Sequence, residues 1–170
     1  MNGHGEDFNH GKCTTQKSSS TDVFNEEFAL TSPLKILVAE DHKINQMLIK
    51  KVLNKLGYSP VIVDNGQLAV KESLQNSYDV IFMDIQMPVL DGLAATKMIL
   101  ENWSDHKEPY ILAMTANAMK GDREKYISAG MHDYISKPFL INDLQALLVK
   151  YSAKKHGDQS DGMIKESTSA

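Results

Sequence analysis

The chain is predicted to be an α/β fold, a doubly wound parallel sheet with helices on both faces. Three observations carry this expectation. Short apolar runs, mostly β-branched or aromatic, alternate with helical apolar periods through the middle of the sequence. The runs lack in/out alternation, as strands covered on both faces should. Glycines and capping residues punctuate the helical periods. Five β-α units of this size imply right-handed crossovers between parallel strands.

The elements follow in order. Lys35-Ile36-Leu37-Val38-Ala39 is the first strand. In the helix after it, Lys43 to Leu56, the residues Ile44, Leu48, Val52 and Leu56 step by four into one apolar stripe, with Lys43, Lys50 and Lys55 off it. Gly57 is the expected left-handed stop. Val61-Ile62-Val63 is the second strand, and Asp64 or Asn65 caps a helix carrying Leu68, Ala69 and Leu74. The run Val80-Ile81-Phe82-Met83 precedes a helix from about Asp91 to Asn102. Tyr110-Ile111-Leu112-Ala113-Met114 precedes one from about Met119 to Ala129, with Gly130 as its stop. Tyr134-Ile135 is the fifth strand, and a last helix spans about Asn142 to Tyr151.

One folded unit is expected at residues 34–152, flanked by disordered tails at 1–33 and 153–170. The first tail is rich in Ser, Thr, Gly, Asn and His, and only Phe24 to Leu30 suggests a short amphipathic turn. From Lys154 onward no helical or strand period is visible beyond isolated Met163 and Ile164. With 42% hydrophobic and 24% charged residues in 170, the chain can bury a core. A net charge of -4 argues against a general nucleic-acid binder. No apolar run approaches the ~18–20 residues of a membrane span. The single cysteine, Cys13, has no intrachain partner, which points to a reducing, cytoplasmic setting.

In doubly wound sheets the ligand site lies beyond the carboxyl ends of the strands. Four strand ends here carry matching chemistry: Glu40-Asp41, Asp84, Thr115 and Lys137. Asp84 is the candidate nucleophile, since an ionised carboxylate can attack phosphorus to give an acyl phosphate. Three close carboxylates repel one another, and a hard cation removes that penalty. Mg²⁺ suits the set, with Asp41 and Asp84 as direct ligands, the backbone carbonyl of Gln86 as a third, and Glu40 acting through water. The competing reading of Glu40-Asp41 is helix capping, by Asp41 or His42. Lys137 places a positive charge against a phosphoryl oxygen, and Thr115 can donate its hydroxyl to another. Ala116 is small enough to admit a phosphodonor.

The segments Val38-Ala39-Glu40-Asp41, Met83 to Gly92, Ala113-Met114-Thr115-Ala116-Asn117-Ala118 and Tyr134-Ile135-Ser136-Lys137-Pro138-Phe139 closely resemble the receiver domain of two-component response regulators. The resemblance spans about Leu34 to Tyr151 and implies a flavodoxin-like sheet of strand order 2-1-3-4-5. It also implies a Mg²⁺-dependent phosphoacceptor that takes a phosphoryl group from a partner phosphohistidine onto Asp84, catalysing its own phosphorylation and dephosphorylation without a kinase domain. In that family the hydroxyl at the Thr115 position and the aromatic at the Tyr134 position act as the switch. Asn45-Gln46 and Thr115-Ala116-Asn117-Ala118 are similar to receivers of hybrid sensor kinases and phosphorelays. The implied partner is a histidine kinase or a histidine phosphotransfer protein docking on the first helix, with Ile44 and Met47 as apolar contacts. The receiver is expected to be a monomer or weak dimer. Gln86 and Asn117 are expected to tune hydrolysis of the acyl phosphate.

Other readings fit less well. A haloacid-dehalogenase-type phosphatase needs a second aspartate where Gln86 stands. A flavin binder of this fold needs a phosphate loop after the first strand, where Glu40-Asp41 would repel the phosphate. No glycine-rich nucleotide-binding pattern supports a kinase. A receiver acting only as a scaffold is the serious rival.

Overall fold

The computed structural model describes residues 27–103, 107–116 and 120–160. Eleven elements are present: α1 (Phe28–Thr31), β1 (Ile36–Ala39), α2 (Lys43–Lys55), β2 (Val61–Val63), α3 (Gly66–Gln75), β3 (Val80–Asp84), α4 (Gly92–Glu101), β4 (Tyr110–Thr115), α5 (Lys120–Ser128), β5 (Asp133–Ser136) and α6 (Ile141–Ser160). All strand pairs are parallel, in the order β2-β1-β3-β4-β5. This is the order that the resemblance implied.

Because successive side chains point to opposite faces, each central strand feeds two cores. Ile36, Val38, Val80, Phe82, Leu112 and Met114 face one side, where Ile49 and Leu53 of α2 and Leu144, Leu148 and Tyr151 of α6 cover them. Leu37, Ala39, Ile81, Met83, Ile111 and Ala113 face the other, against Ala69 and Val70 of α3, Ala95 and Ile99 of α4 and Tyr126 of α5. Every residue of β1 and β3 is therefore buried, and the sequence shows a continuous apolar run. β2 differs because it is an edge strand, and Val61 is exposed.

Local signals hold at the turns. Gly57 and Gly130 have φ of 86° and 92°, the left-handed backbone a helix stop requires. The Asn65 side chain, not that of Asp64, accepts from the Leu68 N–H at 2.9 Å and caps α3; Asp91 does the same for Ala94 at 2.8 Å on α4.

Two helix-face expectations are corrected. The buried stripe of α2 runs through Ile49 and Leu53 to Leu56, whereas Ile44 and Leu48 of the expected stripe are exposed. The apolar arc of this helix is wider than one stripe, and only its C-terminal half lies over the sheet. In α3, Ala69 is buried but Leu68 and Leu74 are exposed. Ordered contacts are also present on either side of residues 34–152. Upstream, Phe28 packs edge-on to Tyr58 at 6.2 Å and the Ala29 N–H donates to the Leu56 carbonyl at 3.0 Å. Downstream, α6 continues past Tyr151 to Ser160. Polar contacts hold that continuation: Lys155 Nζ lies 2.9 Å from Asp79 Oδ2, and Lys154 Nζ lies over the rings of Tyr110 and Tyr151. An apolar period was therefore not needed, and none is in the sequence. The rest of both expected tails, Cys13, and Asn117 and Ala118 lie outside the described residues.

Candidate functional site

Strand order reverses between β1 and β3, and the loops leaving β1, β3, β4 and β5 converge above that point. A cleft of about 460 Å³ opens there, lined among others by Glu40, Asp41, Asp84, Gln86, Thr115 and Lys137. The fold thus brings together every strand-end residue singled out in the sequence.

Asp84 is the last residue of β3 and is buried. Its Oδ2 accepts from Lys137 Nζ at 2.6 Å and its Oδ1 from the Gln86 backbone N–H at 3.1 Å. Burial raises its pKa and the charge of Glu40 adds to this, while Lys137 and the Gln86 N–H pull the other way without cancelling it. The backbone around Asp84 is held closely by α4. The Gly92 N–H donates to the Ile85 carbonyl at 3.1 Å, and a Cβ on Gly92 would overlap the Asp84 carbonyl oxygen. The glycine after Asp91 is thus required by a close backbone approach.

Glu40 is fully buried. Its Oε1 accepts from the His42 backbone N–H and from Asn45 Nδ2, both at 3.1 Å. Its Oε2 lies 2.6 Å from Lys137 Nζ yet accepts no directed hydrogen bond among the described residues. The ammonium neutralises that oxygen by proximity. The Glu40 carbonyl accepts from Gln46 Nε2 at 2.5 Å, and the same amide donates to Asp64 Oδ1 at 2.7 Å. Lys43 Nζ also reaches Asp64, and these two partners, Lys43 first, hold the Asp64 carboxyl below its ordinary range. Asn45 and Gln46 therefore pin the acidic loop from the first turn of α2. His42 occupies the N-cap of that helix, and its side chain makes no capping hydrogen bond.

Lys137 follows β5 and precedes a cis peptide to Pro138. Its ammonium sits between Glu40 and Asp84, 2.6 Å from each. Burial pulls its pKa down, but the bond to Asp84 and the negative charges of Asp84 and Glu40 outweigh that and hold it above the ordinary lysine value. Its backbone N–H donates to the Thr115 carbonyl at 2.8 Å, which ties the ends of β4 and β5 together. Thr115 is buried and its Oγ1 accepts from the Tyr126 hydroxyl at 3.0 Å. Tyr134, half-buried on β5, packs against Tyr126 with ring centroids 6.3 Å apart.

Oxygens of Glu40, Asp41 and Asp84 all lie within 4.8 Å of one another, Asp41 being the exposed member. Hard carboxylate oxygens at this spacing, with the buried Glu40 Oε2 accepting no hydrogen bond among the described residues, fit a divalent cation such as Mg²⁺. Sequence reasoning missed Tyr126. The only signal was a tyrosine on the inner face of the helix after Thr115, since a buried phenol needs a partner for its hydroxyl. Ile44 and Met47 are 63% and 65% exposed on α2 and stand outside the cleft lining.

Comparison with known proteins places this geometry. The hybrid signal transduction histidine kinase G of Dictyostelium discoideum is 40% identical over 131 residues, which is 76% of this chain but 4% of that protein. The chain thus spans a small fraction of the curated relatives it matches. Among solved structures, the receiver domain of the sensor histidine kinase PA1611 of Pseudomonas aeruginosa, with magnesium coordinated in its active site cleft, is 42% identical. The match has a TM-score of 0.64 and covers 71% of this chain and 98% of that one. The Saccharomyces cerevisiae receiver domain of Ssk1, crystallised with the histidine phosphotransfer protein Ypd1, gives a TM-score of 0.67 at 29% identity, covering 72% of this chain and 90% of that one. The family model for the response regulator receiver domain matches residues 36–149. With the sheet order, the acidic cleft and the lysine bridge all in place, this chain belongs to the response regulator receiver domain family.

Proposed function

We propose that this chain is the phosphoacceptor of a phosphorelay and that Asp84 receives the phosphoryl group. The observation that carries this reading is the Lys137 ammonium, 2.6 Å from Asp84 at the mouth of an acidic cleft, where it can follow charge onto an incoming phosphoryl oxygen. An Asp84 carboxylate oxygen attacks the phosphorus of a partner phosphohistidine. The O–P bond forms as the P–N bond breaks, and the electron pair leaves with the imidazole, which takes up a proton. Asp41, Asp84 and the Gln86 carbonyl, with Glu40 through water, would hold Mg²⁺, which would neutralise charge on the carboxylate and the phosphoryl oxygens. Lys137 and the Thr115 hydroxyl bind two of those oxygens, and Thr115 and Tyr134 carry the resulting change of state.

The chain catalyses its own phosphorylation and dephosphorylation and has no kinase role. Its partner is a histidine kinase or histidine phosphotransfer protein whose helices dock on α2 through Ile44 and Met47, both solvent-facing. The Ssk1 receiver crystallised with such a partner supports this. A monomeric or weakly dimeric receiver in the cytoplasm fits the single cysteine and the acidic charge.

The test is incubation with acetyl phosphate or phosphoramidate, with and without Mg²⁺, followed by intact mass. A one-phosphate gain that disappears with chelator and in Asp84→Asn is the expected result. An unchanged mass under all conditions would leave the scaffold reading in its place.

A further inference from the structure

Tyr126 has no role in the chemistry above, yet it is buried beside the cleft. It sits on α5, a helix whose other described residues are mostly exposed, and its phenol donates to Thr115 Oγ1 at 3.0 Å. Its ring also packs on Tyr134, at 6.3 Å and 52°. Thr115 belongs to β4, next to β3, where Asp84 pairs with Met114 one residue earlier. A turn of the Thr115 side chain toward a phosphoryl group on Asp84 would carry Oγ1 away from the phenol on α5 that donates to it.

We infer that Tyr126 is a positioning residue, a latch that holds the Thr115 hydroxyl in the unphosphorylated arrangement and opposes its turn toward Asp84. The inference rests on the phosphoacceptor reading and adds a residue and a direction to it. In the resting arrangement the phenol is satisfied. In the phosphorylated arrangement it is buried without Thr115, so the second state carries the cost of that lost bond. A net hydrogen bond of this kind changes a two-state population by roughly two- to tenfold. Removing the phenol oxygen therefore favours the phosphoryl-bound arrangement. The contact with Tyr134 then passes the release of Thr115 to the aromatic on β5.

The test uses beryllofluoride with Mg²⁺ as the phosphoryl mimic, titrated into the full chain and followed by amide NMR. Tyr126→Phe keeps the ring and its packing, and a urea unfolding curve checks that the fold is retained. The expected result is beryllofluoride binding about two- to tenfold tighter than in the unsubstituted protein. Mg²⁺ affinity without the mimic should be unchanged. In a Thr115→Val background the gain from Tyr126→Phe should vanish, because there is no hydroxyl left to restrain. Equal or weaker binding in Tyr126→Phe overturns the latch, and so does a gain that survives in Thr115→Val. If the unsubstituted protein shows no Mg²⁺-dependent response that Asp84→Asn abolishes, the phosphoacceptor reading fails and the latch falls with it.

Discussion

Lys137→Met keeps the stem of the side chain and removes the charge that lies 2.6 Å from both Glu40 and Asp84. Removing one partner of a buried ion pair typically costs about 3–5 kcal/mol. Asp84 can limit the loss by taking a proton, which at pH 7 costs about 4 kcal/mol from an ordinary carboxyl value, so the two limits agree. The Lys137 side chain keeps 16% exposure, so water already shares its charge and the lower end, about 3 kcal/mol, is expected. With a urea slope of roughly 1–3 kcal/mol/M, the unfolding midpoint falls by about 1–3 M. Mg²⁺ should then reverse much of the loss. At a hundred times its Kd for the variant it adds about 2.7 kcal/mol to the variant, and less to the unsubstituted protein at the same concentration. It binds the variant more tightly, because no ammonium competes for Glu40 Oε2 and Asp84 Oδ2. Urea melts with and without Mg²⁺, together with a Mg²⁺ titration, measure both effects. A midpoint within about 0.3 M of the unsubstituted protein, with unchanged Mg²⁺ affinity, would refute the claim that Lys137 neutralises this cleft.

Three further outcomes are expected. Gly92→Ala drives a methyl into the Asp84 backbone, which cannot yield as a flexible side chain would, so stability drops by roughly 1–3 kcal/mol or more and acceptance from acetyl phosphate slows; an unchanged thermal midpoint contradicts this. Ile44→Asp with Met47→Asp leaves stability and acetyl phosphate labelling intact, since both residues face solvent, while slowing transfer from a phosphorylated histidine phosphotransfer protein at least tenfold, about 1.4 kcal/mol; equal rates from both donors would remove α2 from the docking surface. His132 should titrate below 6.5, because burial lowers its pKa more than the Glu108 carboxylate raises it, and the Ile111 N–H donated to Nδ1 favours the neutral ring. Its folded value lies below the unfolded one, so its contribution is complete above 6.5 and is lost as pH falls from there through the folded value. Imidazole NMR giving a value above 6.5 would reverse that sign.

Much of the site was legible because its chemistry sits at strand ends, where an apolar run stops at a charged or hydroxyl residue. Asp84 after Val80 to Met83 and Thr115 after Tyr110 to Met114 needed no coordinates to be placed. The helix faces were less legible. Ile44 and Ile49 are the same residue type on one helix, yet one is exposed and the other fully buried. Their fates depend on which half of α2 crosses the sheet, and hydropathy is silent on that. The extension of α6 was hidden for a related reason, since ion pairs and cation-π contacts from Lys154 and Lys155 leave no apolar period.

The order of residues alone determined an alternating chain, two covered sheet faces, and a carboxylate, a hydroxyl and an ammonium at strand ends. These follow from side-chain period and backbone propensity, which act over a few neighbours. Packing decided the rest: that one ammonium is shared by Glu40 and Asp84, that Asn45 and Gln46 brace the acidic loop, and that Tyr126 holds Thr115. Those contacts join side chains from separate elements. A hydrogen bond or ion pair depends on distances of a few ångströms, and only the closed sheet with its helices sets them.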